Sequence, residues 1–149
     1  MAAGNFTVFN VGKLHLLDGV HVITSHVYKM ALCTQTQAID ATFAGVSTDC
    51  RYADLTAEVA GANGYTTGGF TLTMTEVRAT GTITVSSSVN PSWASSTFSA
   101  KYGVIYDNTT ANKNLLGFVD LETTVAAGLS PSNGTLTVTI NASGLFTLA

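Results

Sequence analysis

The sequence predicts an all-β protein: an antiparallel β-sandwich, with a jelly roll as one form of it, and short helical turns. Several short segments alternate apolar and polar residues, the period of two that a half-buried strand requires. Turn residues separate these segments, and the 149 residues include only two prolines and show little helical periodicity. A chain of this length can bury its own core, so we predict one domain over residues 1–149, in which residues 1–10 can form an N-terminal arm.

The first part of the chain is predicted to hold two extended segments, Val20–Thr24 and His26–Cys33. A short apolar piece with room for one helical turn, Lys13–Leu17, precedes them and is followed by an Asp-Gly turn signal. The polar, alanine-containing stretch Gln35–Phe43 fits either a short helix or a loop.

A glycine-rich segment, GANGYTTGG at residues 61–69, precedes a strand of strict alternation, and we call it the connector. Phe70, Leu72 and Met74 are predicted on one face of that strand, with threonines on the other. Tyr65 is an aromatic side chain on a flexible frame, which suits an anchor inserted into a neighbouring protein. The alternative is that Tyr65 folds back onto its own sheet.

The second half of the chain continues the strand pattern. Thr82–Val85 is expected to form a hairpin with the strand that ends near Arg78. Leu115–Leu121 follows a cluster of turn residues, and a last strand follows Asn133 and Gly134, with its leucine, valine and isoleucine inward and its threonines outward.

The segment Phe98–Asp107 is predicted to be the main core strand, with a single apolar face. Its other face, which includes Lys101, Ile105 and Asp107, is predicted to point outward, so replacing Lys101 should have little effect. The predicted inward residues are Phe98, Ala100, Tyr102, Val104 and Tyr106.

Composition restricts the partners. Only 10% of residues are charged while 46% are hydrophobic, and mean hydropathy is +0.31, which suits burial against other subunits. The net charge is −3 and the six Lys and Arg are scattered, so we expect no nucleic-acid partner. The N-terminus lacks the pattern of a secretory signal and no apolar run has the length of a membrane span, so we expect cytosolic synthesis and no membrane partner.

The titratable side chains show no diagnostic metal or catalytic spacing, so we expect no catalytic residue, no metal and no cofactor, and no enzyme activity. His15, His21 and His26 are interpreted as surface or interface histidines. Asp49, Asp54 and Glu58 are interpreted as a solvated acidic turn. The two cysteines, Cys33 and Cys50, are expected to be reduced apolar fillers.

The single tryptophan, Trp93, fits a plug in the core or in an interface. The predicted protein-interaction residues are therefore Tyr65, Thr66, Thr67 and Trp93. A rival hypothesis is a carbohydrate-binding sandwich, in which Trp93, Tyr65 and Tyr102 form an exposed stacking platform.

From about Ser25 to Ala149, the order of motifs resembles a family of small virion structural proteins of tailed bacteriophages, the capsid cement or decoration proteins. The motifs are YADLTAEV, GYTTGG with its alternating strand, the lone Trp93, FSAKYGVIYD, LLGFVD and NGTLTVTIN with GLFTL. The resemblance implies an all-β protein on the outside of an icosahedral shell that clamps neighbouring major capsid proteins, commonly as a homotrimer. A tail or head-to-tail component of the virion is the alternative role.

Overall fold

The computed structural model describes residues 4–43, 45 and 49–149. Within these residues the fold is all-β, with ten strands in antiparallel sheets and one short helix. In chain order the elements are β1 (Thr7–Val8), α1 (Asn10–Leu17), β2 (Tyr28–Cys33), a 3₁₀ turn (Tyr52–Asp54), β3 (Phe70–Leu72), β4 (Met74–Ala79), β5 (Thr82–Ser87), β6 (Ser92–Ser96), β7 (Tyr102–Asp107), β8 (Leu115–Asp120), β9 (Gly134–Thr137) and β10 (Phe146–Leu148).

A five-stranded sheet of order β1-β8-β7-β2-β3 forms the centre of the molecule. The outer layer on one face consists of the three-stranded sheet β10-β5-β4 and the two-stranded sheet β6-β9. Met30 and Ile105 of the central sheet share the main core with Val85 and Trp93 of this layer. The predicted sandwich is thus confirmed, whereas the jelly-roll form is not.

The opposite face of the central sheet is also covered, by the helix and by the long loop before the 3₁₀ turn. Ala31 and Val104 of the sheet pack there with Ile39 and Cys50, and Phe43 lies against them. A Cβ on Gly12 of α1 would lie 2.4 Å from the Leu116 carbonyl oxygen, so the helix rests directly on the backbone of β8. The stretch Gln35–Phe43, which the sequence predicts as either a short helix or a loop, forms turns without a helix.

Two predictions for the N-terminal part need correction. Val20–Thr24 is not a strand but part of the loop after α1. The Val20 and His21 N–H groups both donate to the His15 carbonyl in the helix. Residues 4–10 are not a separate arm, because the Gly4 N–H donates to the Asp120 carbonyl at 2.8 Å and β1 pairs with β8. Residues 1–3 of the predicted arm lie outside the described residues.

The alternating strand after the connector is confirmed, with Leu72 buried and Phe70 and Met74 packed against the main core. It divides at Thr73: β3 pairs with β2 in the central sheet, and β4 pairs with β5 in the outer layer. The predicted hairpin is confirmed, and Ala79 pairs with Thr82 across its two-residue turn.

The prediction that β7 has only one buried face is wrong. Lys101, Ile105 and Asp107 are all buried, because the central sheet is covered on both sides. The ammonium of Lys101 is 3.0 Å from Asp120 Oδ1 and donates to the carbonyls of Glu122 at 2.6 Å and Val125 at 3.3 Å. Lys101 therefore ties the chain after β8 to the start of β7.

We therefore expect Lys101→Ala to destabilise the protein by about 1–3 kcal/mol, because it removes the donor to the Glu122 carbonyl and the cation beside Asp120. Lys13→Ala is the matched control, since the Lys13 side chain is exposed and its ammonium donates to Asn10, at 3.2 Å. Urea unfolding of the two variants beside the parent measures the difference. Equal stability of both variants would contradict the position of Lys101.

Candidate functional site: the connector and the histidine segment

Tyr65 is buried rather than exposed, with 3% of its surface accessible. Its hydroxyl donates to Glu58 Oε1 at 2.5 Å and accepts from the Leu32 N–H at 3.1 Å. Its ring packs against Trp93 and Phe98, with centroids 6.2 and 5.8 Å away. The structure thus supports the alternative in which Tyr65 folds back onto its own sheet, and it corrects the prediction that this ring is offered to a partner.

Glu58 is the carboxylate that holds the connector in place. Besides Tyr65, it accepts hydrogen bonds from the Tyr52 hydroxyl and from the Gly68 N–H, the latter at 2.7 Å. Burial and the hydrogen bond to Glu58 raise the pKa of Tyr65 above its ordinary value, so the phenol remains a donor. The Tyr106 hydroxyl adds a bond to the Gly68 carbonyl at 2.8 Å.

The prediction of a solvated acidic turn therefore fails for Glu58. Its donors come from a turn before it and a loop after it, and no local pattern in the sequence marks that convergence. Asp54 accepts from the Arg51 N–H at 2.8 Å within the 3₁₀ turn, and Asp49 pairs with the Arg51 side chain at 3.0 Å. Asp54 thus accepts within its own turn, whereas Asp49 also contacts His15 and Asn112, which are distant in the sequence.

The connector lies directly on the backbones of β6 and β2. Gly64 has φ +91° and Gly69 has φ +76°, backbone conformations that residues with a Cβ rarely adopt. A Cβ on Gly64 would lie 2.4 Å from the Ala94 carbonyl oxygen, and one on Gly69 would lie 1.9 Å from that of Met30. The connector is thus a fitted turn, and the predicted interaction residues Thr66 and Thr67 are exposed on it.

Trp93 is also buried, with 6% of its surface accessible, so it fills the main core. Tyr102 is half-buried on the other face of the central sheet, with its ring against Phe118. Trp93, Tyr65 and Tyr102 therefore do not form one exposed platform, and the arrangement does not favour the carbohydrate-binding hypothesis.

A second carboxylate, the buried Asp107 at the end of β7, organises the histidines. Asp107 is fully buried, and its Oδ2 lies 2.6 Å from His26 Nδ1 and 3.4 Å from His21 Nδ1. Its Oδ1 accepts the Thr109 N–H at 3.0 Å. Burial acts to raise the pKa of the Asp107 carboxyl, but the hydrogen bonds from His21 and His26 outweigh it and hold the pKa below its ordinary value.

The interpretation of the histidines as surface residues is wrong for His15 and His21, which are both buried. His15 Nε2 lies 3.3 Å from Asp49 Oδ1, and His21 Nε2 lies 3.3 Å from the Leu115 carbonyl oxygen. The carboxylates lie far from the histidines in the sequence, so no local spacing of residues indicated these contacts. Among the described residues, no group of three or more His, Cys, Asp or Glu has the geometry to hold a metal ion.

The histidine contacts fix the segment between α1 and β2 against the β7–β8 turn. The Asn108 N–H donates to the Val27 carbonyl at 2.7 Å, and the Val27 N–H donates to the Thr109 hydroxyl at 2.8 Å. Exposed aliphatic side chains lie on α1 and on this fixed segment, and we call the stretch that carries them, residues 14–27, the apolar segment. Its members and their exposed fractions are Leu14 (54%), Leu17 (86%), Val22 (40%) and Val27 (46%).

Cys33 and Cys50 are free and buried, as expected of apolar fillers. Burial raises the pKa of each thiol to about 12, with a smaller contribution from neighbouring carboxylates. Neither is therefore a thiolate near neutral pH.

A cleft of about 600 Å³ opens between the N-terminal and C-terminal segments at the margin of the main core. Its apolar lining includes Phe6, Val119, Leu121 and Phe146.

Comparisons with protein-family models, with curated proteins and with solved structures found no match to this chain. Within the described residues, no helix combines the length and the apolar character needed to cross a membrane.

We expect Tyr65→Phe to lower the free energy of unfolding by about 1–3 kcal/mol, because it leaves Glu58 and the Leu32 N–H without one partner each. Tyr102→Phe is the control, since the Tyr102 hydroxyl makes no hydrogen bond within the described residues. Thermal unfolding of the two variants measures the effect. If Tyr65→Phe were as stable as the parent, the contact between Tyr65 and Glu58 would not be what holds the connector.

We expect Asp107→Asn to be less stable than the parent at pH 7 by about 1.5–3 kcal/mol, since hydrogen bonds to a charged group are lost. A carboxyl whose pKa falls on folding stabilises the protein above its unfolded value and loses that effect as the pH drops through the folded value. The difference between parent and variant should therefore shrink below the ordinary value of 3.8. A difference that is independent of pH in denaturant titrations would contradict this.

Proposed function

We propose that this protein is a capsid cement or decoration protein that binds the outer surface of a phage shell and stabilises contacts between major capsid proteins. The proposal includes synthesis in the host cytoplasm, location on the capsid exterior and self-association, commonly as a homotrimer. The resemblance in motif order supplies the identity of the partner. The structure supports a binding role through its exposed surfaces.

The exposure of the apolar segment is the main support for this proposal. Leu14 and Leu17 lie three residues apart on α1, and side chains at this spacing share one helix face. Exposed apolar side chains held in one rigid segment are typical of protein–protein contacts, since little conformational entropy is lost on binding. The hydrogen bonds around Asp107 hold the part that carries Val22 and Val27, and the contact of His15 with Asp49 holds α1.

The outer face of the β10-β5-β4 sheet provides further support. Alternation along the paired strands places uncharged side chains together on this face, which can be covered without desolvating a charge. They are Thr75, Val77, Ala79, Thr82, Thr84 and Ser86. Thr66 and Thr67 of the connector remain predicted contacts.

A tail or head-to-tail component would use the same surfaces, and electron microscopy of labelled particles distinguishes the two by location. A role in carbohydrate binding has less support, because Tyr65 and Trp93 are buried.

We expect Leu14→Ser and Leu17→Ser to weaken attachment to capsids by about 1–3 kcal/mol each while the free protein melts normally, because these side chains contribute little to the core. Val125→Ser is the matched control, since Val125 is a similarly exposed aliphatic residue (49%) outside the apolar segment. Occupancy on particles and the temperature at which the particles burst provide the measurements. Normal occupancy of both leucine variants would reject this surface as the contact.

A further inference from the structure

The strand β4 is an open edge of the outer layer. It ends the sheet order β10-β5-β4, and within the described part of the chain its one partner strand is β5. From Glu76 to Ala79 every residue is exposed, so this half of the strand is uncovered on both faces. An uncovered edge presents backbone donors and acceptors to which another strand can bond.

The hydrogen bonds of the hairpin show which backbone groups face outward. Thr73 stands opposite Ser88 in the β4–β5 register, and the Ser88 N–H donates to the Thr73 carbonyl at 2.9 Å. Bonded and non-bonded pairs alternate in an antiparallel ladder, so Thr75, Val77 and Ala79 bond to β5. The N–H and C=O groups of Glu76 and Arg78 therefore point away from the sheet.

We propose that β4 pairs antiparallel with β4 of a second copy of this chain, about a two-fold axis at Val77. Glu76 then stands opposite Arg78 of the second copy, and their outward backbone groups form a bonded pair. Val77 meets its own counterpart at the axis, where the strands approach most closely, and this covers a side chain that is 62% exposed. The outer sheets of the two copies become one continuous sheet.

The charges select this register. Glu76 and Arg78 make no ion pair with any described residue, and the two-fold arrangement pairs each with the opposite charge of the second copy. A register centred on Glu76 would oppose two carboxylates, and one centred on Arg78 would oppose two guanidinium groups. Charged residues on an edge strand commonly prevent such pairings, and here the register centred on Val77 sets opposite charges face to face instead.

This contact goes beyond attachment to a shell, because it joins copies of the protein in pairs. If trimers form through another surface, the contact joins trimers in pairs. Its test therefore uses the purified protein without capsids.

The experiment measures mass by sedimentation for the parent (15.4 kDa per chain), for E76R, for R78E, for the equimolar mixture of the two variants and for the double variant E76R/R78E. Each single variant opposes like charges in both symmetry-related pairs, so we expect association weaker by on the order of tenfold or more. The mixture restores opposite charges in both pairs, as does the double variant, so both should regain the mass of the parent. Circular dichroism verifies that each variant is folded.

Half the parental mass for both single variants, with the parental mass in the mixture, supports the pairing. Parental mass in the single variants would overturn it, as would a parent that stays at 15.4 kDa up to millimolar concentration. A mixture that remains dissociated would also overturn it, because the register predicts that those two variants are complementary.

Discussion

The architecture depends on covering both faces of the central sheet. Ile105 packs into the main core on one face of β7, and Val104 packs into the second cluster on the other. One of these covers is a layer of strands, but the other is formed by a short helix and by loops, which lack a ladder of their own. Loops bury backbone groups only when those groups have hydrogen-bond partners, so side chains must supply them.

Two carboxylates, the half-buried Glu58 and the buried Asp107, supply much of this bonding. Glu58 accepts from two phenols and the Gly68 N–H, and Asp107 accepts from Thr109 and faces two imidazoles. A carboxylate can accept several hydrogen bonds at once, and bonds to a charged acceptor are stronger than neutral ones. The connector and the apolar segment are thus held by the interior, while their outer residues remain available for contacts.

The sequence predicts the local patterns and misses the long-range ones. Alternation identified the strand at Phe70–Met74 and the hairpin at Arg78 and Thr82, because a period of two is a local property. It misassigned Lys101 and Tyr65, since a polar or loop residue becomes buried only through partners distant in the chain. Asp107 and Glu58 were missed for the same reason, and the pairing that we propose at Val77 could be inferred only once the structure had placed β4 at the edge of its sheet.

Native-state hydrogen exchange tests most directly whether these carboxylates make the loops part of the cooperative fold. The critical amides are Gly68, which donates to Glu58, and Thr109, which donates to Asp107. The strand-like amide of Val59, which bonds to the Leu32 carbonyl, is the reference. We expect all three amides to exchange only through global unfolding, with similar protection. Exchange of Gly68 and Thr109 at rates close to those of an unstructured chain, while Val59 stays protected, would contradict this expectation.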